Sequence, residues 1–284
     1  MARPAIVAHG GAGAGPDQNL RRANLEPAIE VGRAILEAGG SAIEAAVEAG
    51  VLLEDDPVFN AGTGSVVRTD GSVLTDASLQ TGDGRLGFVI AMEDTPNPIR
   101  ICVDLLDEEI NGLAGPGARR WADARGHLKA DVIGRPPKDE IGDVGDVGPK
   151  PAEIIGDTVG VIARDSQGNI AAATSSGGCS HRPAGRVGDV PLPGSGYWVN
   201  RDIAVSATGI GEAITIALLS KRVHERISAS RDQSADSLEA AMQWGIDNHI
   251  ATHHQVGLIA LCGSGIGTGV ANTDMPWLAW QADS

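Results

Sequence analysis

Aromatic residues are nearly missing: five Trp, two Phe and one Tyr make up 3% of 284 residues. A core of large flat rings is therefore excluded, and the 42% hydrophobic content must be met by Ala, Val, Ile and Leu. Cysteine is scarce too. Cys102, Cys179 and Cys262 lie far apart with no paired spacing, which argues against a disulfide framework and against a zinc site. Positive charge is in short supply, since 22 Lys and Arg against 37 Asp and Glu leave a net charge of −15. Nucleic acid and anionic membrane surfaces would repel such a chain, so neither is an expected partner. No apolar run approaches the roughly 18 residues of a membrane span. The start, MARPAIVAHGGAG, lacks the apolar stretch of a signal peptide. The expectation is a soluble, cytoplasmic protein.

What is abundant is glycine, 39 residues without a collagen-like period, as in a globular chain with many turns. Residues 4–8 read as a short buried strand ending in the turn His9-Gly10-Gly11-Ala12-Gly13. A helix is predicted over 25–38, with Asn24 as N-cap and Pro27 in the first turn. Ser41 and Glu44 have capping-box spacing for a second helix through about Leu53. Two β segments, 64–68 and 72–76, flank the turn Thr69-Asp70-Gly71. Residues 87–93 read as a strand and 117–125 as a helix. From about 128 to 156 the pattern dissolves into Asp, Gly and Pro, a length of loop that is usually functional or disordered. Strands follow at 158–164 and 169–175 as a hairpin, then a strand at 203–208, helices at 211–227 and 236–249, and a strand at 256–262. Helix pairs set apart from antiparallel strands point to helices packed outside stacked sheets.

The acidic excess is lopsided: the first 157 residues hold 26 acids and 14 bases, the remainder 11 and 8. At the boundary stands Gly156-Asp157-Thr158-Val159-Gly160, where a patternless loop runs into a threonine opening a strand. By spacing alone this is a loop feeding a sheet, with Thr there for its β-propensity. The surrounding blocks say more. They are HGGAG (9–13), EDDPVFNAGTGS (54–65), TDAS (75–78), NPI (97–99), DTVGVIARDSQGNIAAATSSGG (157–178), GRVGDVPLPGSG (185–196), ATGIGE (207–212), GLIAL (257–261) and NTDM (272–275). In this order, across nearly the whole chain, they resemble the plant-type asparaginase and isoaspartyl peptidase family.

That resemblance implies an α+β fold, a four-layer αββα sandwich of the N-terminal-nucleophile hydrolases, made as one inactive domain. It implies cleavage between Asp157 and Thr158, leaving an α piece (1–157, with a flexible linker from about 128) and a β piece (158–284). Thr158 would be the nucleophile and its freed α-amine the base. A hydroxyl needs such a base, and an α-amine pKa of roughly 7.7–8.0 suits the task. Ser176 stands where the family usually has a threonine bonded to the nucleophile. Thr208 and Gly209 match an oxyanion hole, a hydroxyl and an N–H aimed at developing charge. Arg186 and Asp189 match the pair that holds a substrate's α-carboxylate and α-ammonium, with a surface ion pair as the plain alternative. Asn60 matches a residue that supports the threonine. Main-chain carbonyls of Leu53, Glu54, Asp56, Phe59, Ala61 and Thr63 match a structural sodium loop, and oxygen ligands suit a hard cation; a tight turn would read the same way. No cofactor is expected for catalysis, and a dimer of processed αβ units is implied.

Within the family three branches compete: an asparaginase or isoaspartyl peptidase, a glycosylasparaginase, which HGGAG disfavours, and a threonine-aspartase-like protease; a fourth reading is an unprocessed relative acting as a binding module. Asp189 favours the first, because an acid there suits a substrate with a free α-ammonium. Residues 102–115 depart from the family's Ser-Pro-His stretch, and Val256 replaces a common glycine before GLIAL. GSGIGTG (263–269) lacks the helix and distant acid of a dinucleotide loop, His253-His254 has no third ligand and is expected to end a helix, and Glu54-Asp55-Asp56 reads as a solvated acidic turn.

Overall fold

The computed structural model describes residues 2–13, 18–127, 129–134 and 158–283; Asp157 and most of the loop expected over 128–156 lie outside these. The chain begins with β1 (Ala5–His9), α1 (Gln18–Glu37) and α2 (Ala42–Asp55). A single 3₁₀ turn (Gly62–Gly64) leads to β2 (Thr75–Thr81), β3 (Leu86–Met92), α3 (Pro98–Leu105), β4 (Gly112–Ala114) and α4 (Gly115–Asp123). The second half runs β5 (Val159–Arg164), β6 (Ile170–Ser176), β7 (Tyr197–Val199) and β8 (Ile203–Gly209). It ends with α5 (Gly211–Ala217), α6 (Leu219–Ser228), α7 (Ala235–His249), β9 (Val256–Cys262), β10 (Gly267–Ala271) and β11 (Trp277–Gln281).

Two sheets result. One has the strand order β11-β1-β5-β6-β2-β3-β4, and the other β10-β9-β8-β7. Every ladder is antiparallel except β3–β4. Strand alternation sorts the core into three sets. Val159, Val161 and Ala163 of β5 face outward into the cluster that includes Leu25, Ala45 and Ile99 of the first helices. Ile162, with Ala5, Val7 and Ala172, faces inward and meets Ala204, Ile259 and Leu261 of the second sheet. Val205 and Leu258 look outward again, onto Leu219, Val223 and Met242. Helix, sheet, sheet, helix is the expected αββα order. Buried on both faces, β5 has no polar-out rhythm: all six of its residues are buried.

The scarcity of aromatics shows in the packing. Thirteen of the thirty buried residues in the first cluster are Ala, which lets α1 and α2 lie close on the sheet. All three cysteines are free and buried. Ser41 does cap α2, its hydroxyl accepting from the Glu44 N–H at 3.1 Å.

Several expectations need correcting. Helix α1 starts at Gln18, so Asn24 is not its cap but an internal residue whose side chain donates to Asp56 at 2.7 Å. The hairpin over 64–76 shrinks to one Val67–Val73 bridge, because Asp70 turns its carboxylate onto the Ser72 N–H and hydroxyl. The helix expected over 211–227 is two helices, broken at Leu218 with φ +47°. His253 and His254 follow α7 in a turn instead of ending it. Among the described residues no helix is long and apolar enough to cross a membrane.

Candidate active site

The strand register brings the central residues together. Val159 faces Ser175 in the β5–β6 ladder, so one further step sets Thr158 beside Ser176. Ser176 faces Asp76 on β2. Alternation turns all three toward the second sheet, since Val159 and Ala173 belong to the outer cluster. Thr158, Ser176, Asp76, Arg186, Asp189 and Gly209 border one cavity of about 10 Å³, room for a single water.

Every expected residue except Asp157, which lies outside the described residues, has a place in the structure. Thr158 and Ser176 are buried, and the Ser176 hydroxyl accepts from the Gly178 N–H at 2.9 Å. Asn60 fastens the turn after Ser176: its amide donates to the Gly178 carbonyl at 2.6 Å, and its main-chain oxygen accepts from Gly177 at 2.9 Å. Thr208, fully buried, accepts from the Ala12 N–H at 3.3 Å, which leaves its own proton free to donate. Gly209 has φ +124°, and a Cβ there would lie 2.2 Å from the Gln255 carbonyl, so only glycine fits. Its ladder partner Val256 points into the outer core under α5–α7, away from the cavity. The departure at 256 therefore leaves the cavity wall untouched.

Arg186 and Asp189 share the cavity but are not the simple pair expected. Arg186 grips Glu212 with Nε and Nη2, at 3.1 and 2.8 Å. Asp189 is buried and its Oδ2 has no hydrogen-bond partner. Burial pushes its carboxyl up to about 7, against the pull of Arg186. The surface-pair alternative fails: Asp189 is 3% exposed.

Three further residues meet the site from inside motifs that assign them no role. Glu212 closes ATGIGE and holds Arg186. Asp76, in TDAS, accepts from the Ala91 N–H at 2.8 Å, and burial raises its pKa to about 6 despite Arg68 nearby. His9, opening HGGAG, is completely buried, which drives its pKa down to about 3 and keeps it neutral. Its Nδ1 accepts from Gly11, so Nε2 carries the proton, within 3.3 Å of Ser206 and hydrogen-bonded to the Thr158 backbone. Gly160 makes room: a Cβ there would sit 2.4 Å from His9 Nε2.

In the loop expected to hold sodium, Leu53 and Glu54 lie in the last turn of α2, where helix carbonyls lose their intrahelical partners. Carbonyls crowd the two glycines that follow; a Cβ on Gly62 would meet Glu54 O at 2.5 Å, and one on Gly64 would meet Phe59 O at 2.0 Å. Asp56 and Ala61 carbonyls already accept from Phe59 and Gly64, and each keeps a second lone pair. Thr63 lies in the 3₁₀ turn itself. The donor set is oxygen-rich and suits a hard cation.

Glu54 has a second feature. One oxygen accepts from the Ile99 N–H at 3.2 Å, and burial pushes the carboxyl up to about 8. At neutral pH it holds a proton, because desolvation outweighs the Ser175 hydroxyl and the Ile99 N–H, both of which favour the ionised form. A folded pKa raised from 4.5 gives stability that is complete below pH ~4.5 and is lost as pH rises through about 8. Asp76 and Asp189 act with the same sign, their contributions complete below pH 3.8 and lost as pH rises through about 6 and about 7. Glu54→Gln keeps the shape and an acceptor for the Ile99 N–H without the ionisation. Its melting temperature should match the parent near pH 5 and exceed it near pH 9; equal slopes for both proteins would overturn the assignment.

Comparison with known proteins agrees with this geometry. A family model described as asparaginase matches residues 2–134 and 137–284. The isoaspartyl peptidase/L-asparaginase of Bos taurus is 35% identical over 291 residues, 97% of this chain and 92% of its own. That of Homo sapiens is 40% identical over 225 residues, 74% and 72% of the two chains. The plant-type L-asparaginase of Pyrobaculum calidifontis is 36% identical over 261 residues, 84% of each. A match along almost the entire chain, on a helix–sheet–sheet–helix frame that gathers these residues at one cavity, makes this chain a member of the asparaginase family.

Proposed function

We propose that this chain is an amidohydrolase that cuts itself before Thr158 and then hydrolyses the side-chain amide of L-asparagine or the β-aspartyl bond of isoaspartyl dipeptides. The observation that carries the reading is the single cavity bordered by Thr158, Ser176, Asp189 and Gly209, residues supplied by both sheets and the loop between β6 and β7.

The chemistry proceeds in two stages. In the uncut chain Thr158 Oγ attacks the Asp157 carbonyl carbon, the C–N bond breaks, and the acyl group moves from nitrogen to oxygen. The leaving amine takes up a proton. Water then hydrolyses the ester, freeing the Asp157 carboxylate and the Thr158 hydroxyl. That amine, with a pKa of roughly 7.7–8.0, now takes the hydroxyl proton as Oγ attacks the substrate amide. The Ser176 hydroxyl steadies Oγ. The oxyanion of the tetrahedral intermediate accepts from the Thr208 hydroxyl and the Gly209 N–H. Ammonia, or the amino group of the peptide's second residue, leaves, and water releases aspartate. The threonine's own amine is the base, so these steps call on no cofactor. A structural sodium ion would be held by the carbonyls of Leu53, Glu54, Asp56, Phe59, Ala61 and Thr63, and would stiffen the loop that carries Asn60.

Substrate binding falls to Arg186 and Asp189. With Nε and Nη2 on Glu212, Nη1 is the nitrogen left for the α-carboxylate. Asp189 must be ionised to accept the α-ammonium, so KM should fall as pH rises through about 7. Asp189→Asn should raise KM about 10–100-fold, the worth of a hydrogen bond to a charged group, and flatten that pH dependence. A variant that keeps the wild-type KM profile would remove Asp189 from the substrate site. The processed units are read as a dimer, and Ile216, 86% exposed beside Leu218, is an apolar spot such a contact would cover.

The whole reading is tested by incubating the purified protein and following its denatured mass alongside ammonia release from asparagine and β-aspartyl dipeptides. Two fragments split at 157/158 and ammonia support it. A persistent 29.1 kDa species that releases no ammonia would sink it.

A further inference from the structure

At the end of the sandwich opposite Thr158, a cavity of about 600 Å³ is enclosed by the β2–β3, β5–β6 and β7–β8 turns and the start of α2. Strand β5 links the two places: Thr158 precedes it and Arg164 ends it, roughly 20 Å away at about 3.3 Å per residue.

Six charged side chains border this cavity, and three are already satisfied. Asp165 accepts from the N–H groups of Ala42, Gln167 and Asn169 and from the Asn169 amide. Asp83 pairs with Arg85, which also reaches Asp107. The other three, Arg164, Arg201 and Asp202, have no ionic partner among the described residues. Arg164 is the most unusual. It is 8% exposed, gives Nη1 to the Arg3 carbonyl at 3.2 Å, and leaves Nε with no partner. A buried guanidinium without a carboxylate is costly, and one on a cavity wall can be relieved by an anion from outside. Arg201 and Asp202 stand exposed on the rim, at the β7–β8 turn.

Two unpaired cations and one unpaired anion define their complement, a ligand with two carboxylates and one ammonium. We propose that this cavity binds an acidic α-amino acid, its carboxylates on Arg164 and Arg201 and its ammonium on Asp202. The volume lies within the range of small-molecule sites. Aspartate, the product of the proposed hydrolysis, is such a ligand; that link rests on the hydrolase reading, while the site itself does not.

Calorimetric titration of the Thr158→Ala chain tests this, because without its nucleophile the chain turns nothing over and the heat is that of binding alone. L-Aspartate should bind saturably. Succinate, with the same carboxylates and no ammonium, should bind at least tenfold more weakly. Arg201→Ala should weaken L-aspartate tenfold or more, and Asp202→Asn should bring it down to the level of succinate. Both changes are on exposed side chains, so folding is not at issue. No saturable heat, or binding indifferent to both rim changes, overturns the proposal. Ammonia release by the wild-type protein is measured apart, so failure of the hydrolase reading and failure of this site are told apart.

Discussion

Alanine at position 158 leaves one uncut chain of 29.1 kDa and lowers ammonia release by as much as the order of 10⁶, the scale seen when a hydrolase loses its nucleophile. The effect is large because the proposed mechanism gives one residue three duties. Its hydroxyl attacks the peptide bond, its amine becomes the base, and the same hydroxyl attacks the substrate. Folding should survive: the change removes a hydroxyl and a methyl from a buried strand end, about 1 kcal/mol for the methyl by the usual burial scale. Thr158→Ser, which keeps the hydroxyl, should cut itself and turn over more slowly than the parent. Denaturing mass spectrometry and an ammonia assay read both variants. If the alanine chain is still cleaved, or still releases ammonia at the parental rate, Thr158 is not the nucleophile.

Valine at position 208 should cost turnover about 10²–10³-fold with KM little changed, because it deletes a donor needed only when charge develops on the attacked carbonyl. The shape is kept and the hydroxyl is lost. Self-cleavage should slow along with hydrolysis, since both pass through an oxyanion beside Gly209. A second signature separates this from general damage. The Thr208 hydroxyl also accepts from the Ala12 N–H at 3.3 Å, so valine orphans that buried donor and should lower stability by roughly 1–3 kcal/mol. Thr208→Ser restores both. Unchanged kcat in the valine variant would take Thr208 out of the oxyanion hole.

Much of the frame was legible from local chemistry. Ser41 with Glu44 announced α2, the Asp165-Ser166-Gln167-Gly168 turn announced the β5–β6 hairpin, and GLIAL announced β9. What escaped depended on tertiary context. The break at Leu218 puts a leucine in a left-handed conformation that costs roughly 1–2 kcal/mol, and no local signal marks that. Helix α3 is eight residues, too short for a clear period, and is fixed by Ile99, Ile101 and Cys102 entering the outer core. At the site, the motifs marked positions but not their partners. Glu212 lies 26 residues after Arg186, and nothing in either motif says that the fork is already held. His9 is similar: its burial between Gly160 and Ser206 exists only once the two sheets stack.

The strand order of the larger sheet has a consequence for the cut molecule. Taken from the edge, β11 comes from the second piece, β1 from the first, β5 and β6 from the second, and β2 to β4 from the first. Three complete ladders, β11–β1, β1–β5 and β6–β2, therefore join residues on opposite sides of Thr158. Severing the backbone would leave the pieces interlaced like the fingers of two hands, and neither could keep its sheet alone. Maturation would turn a chain that folds in one encounter with itself into a pair that, once unfolded, must find each other again.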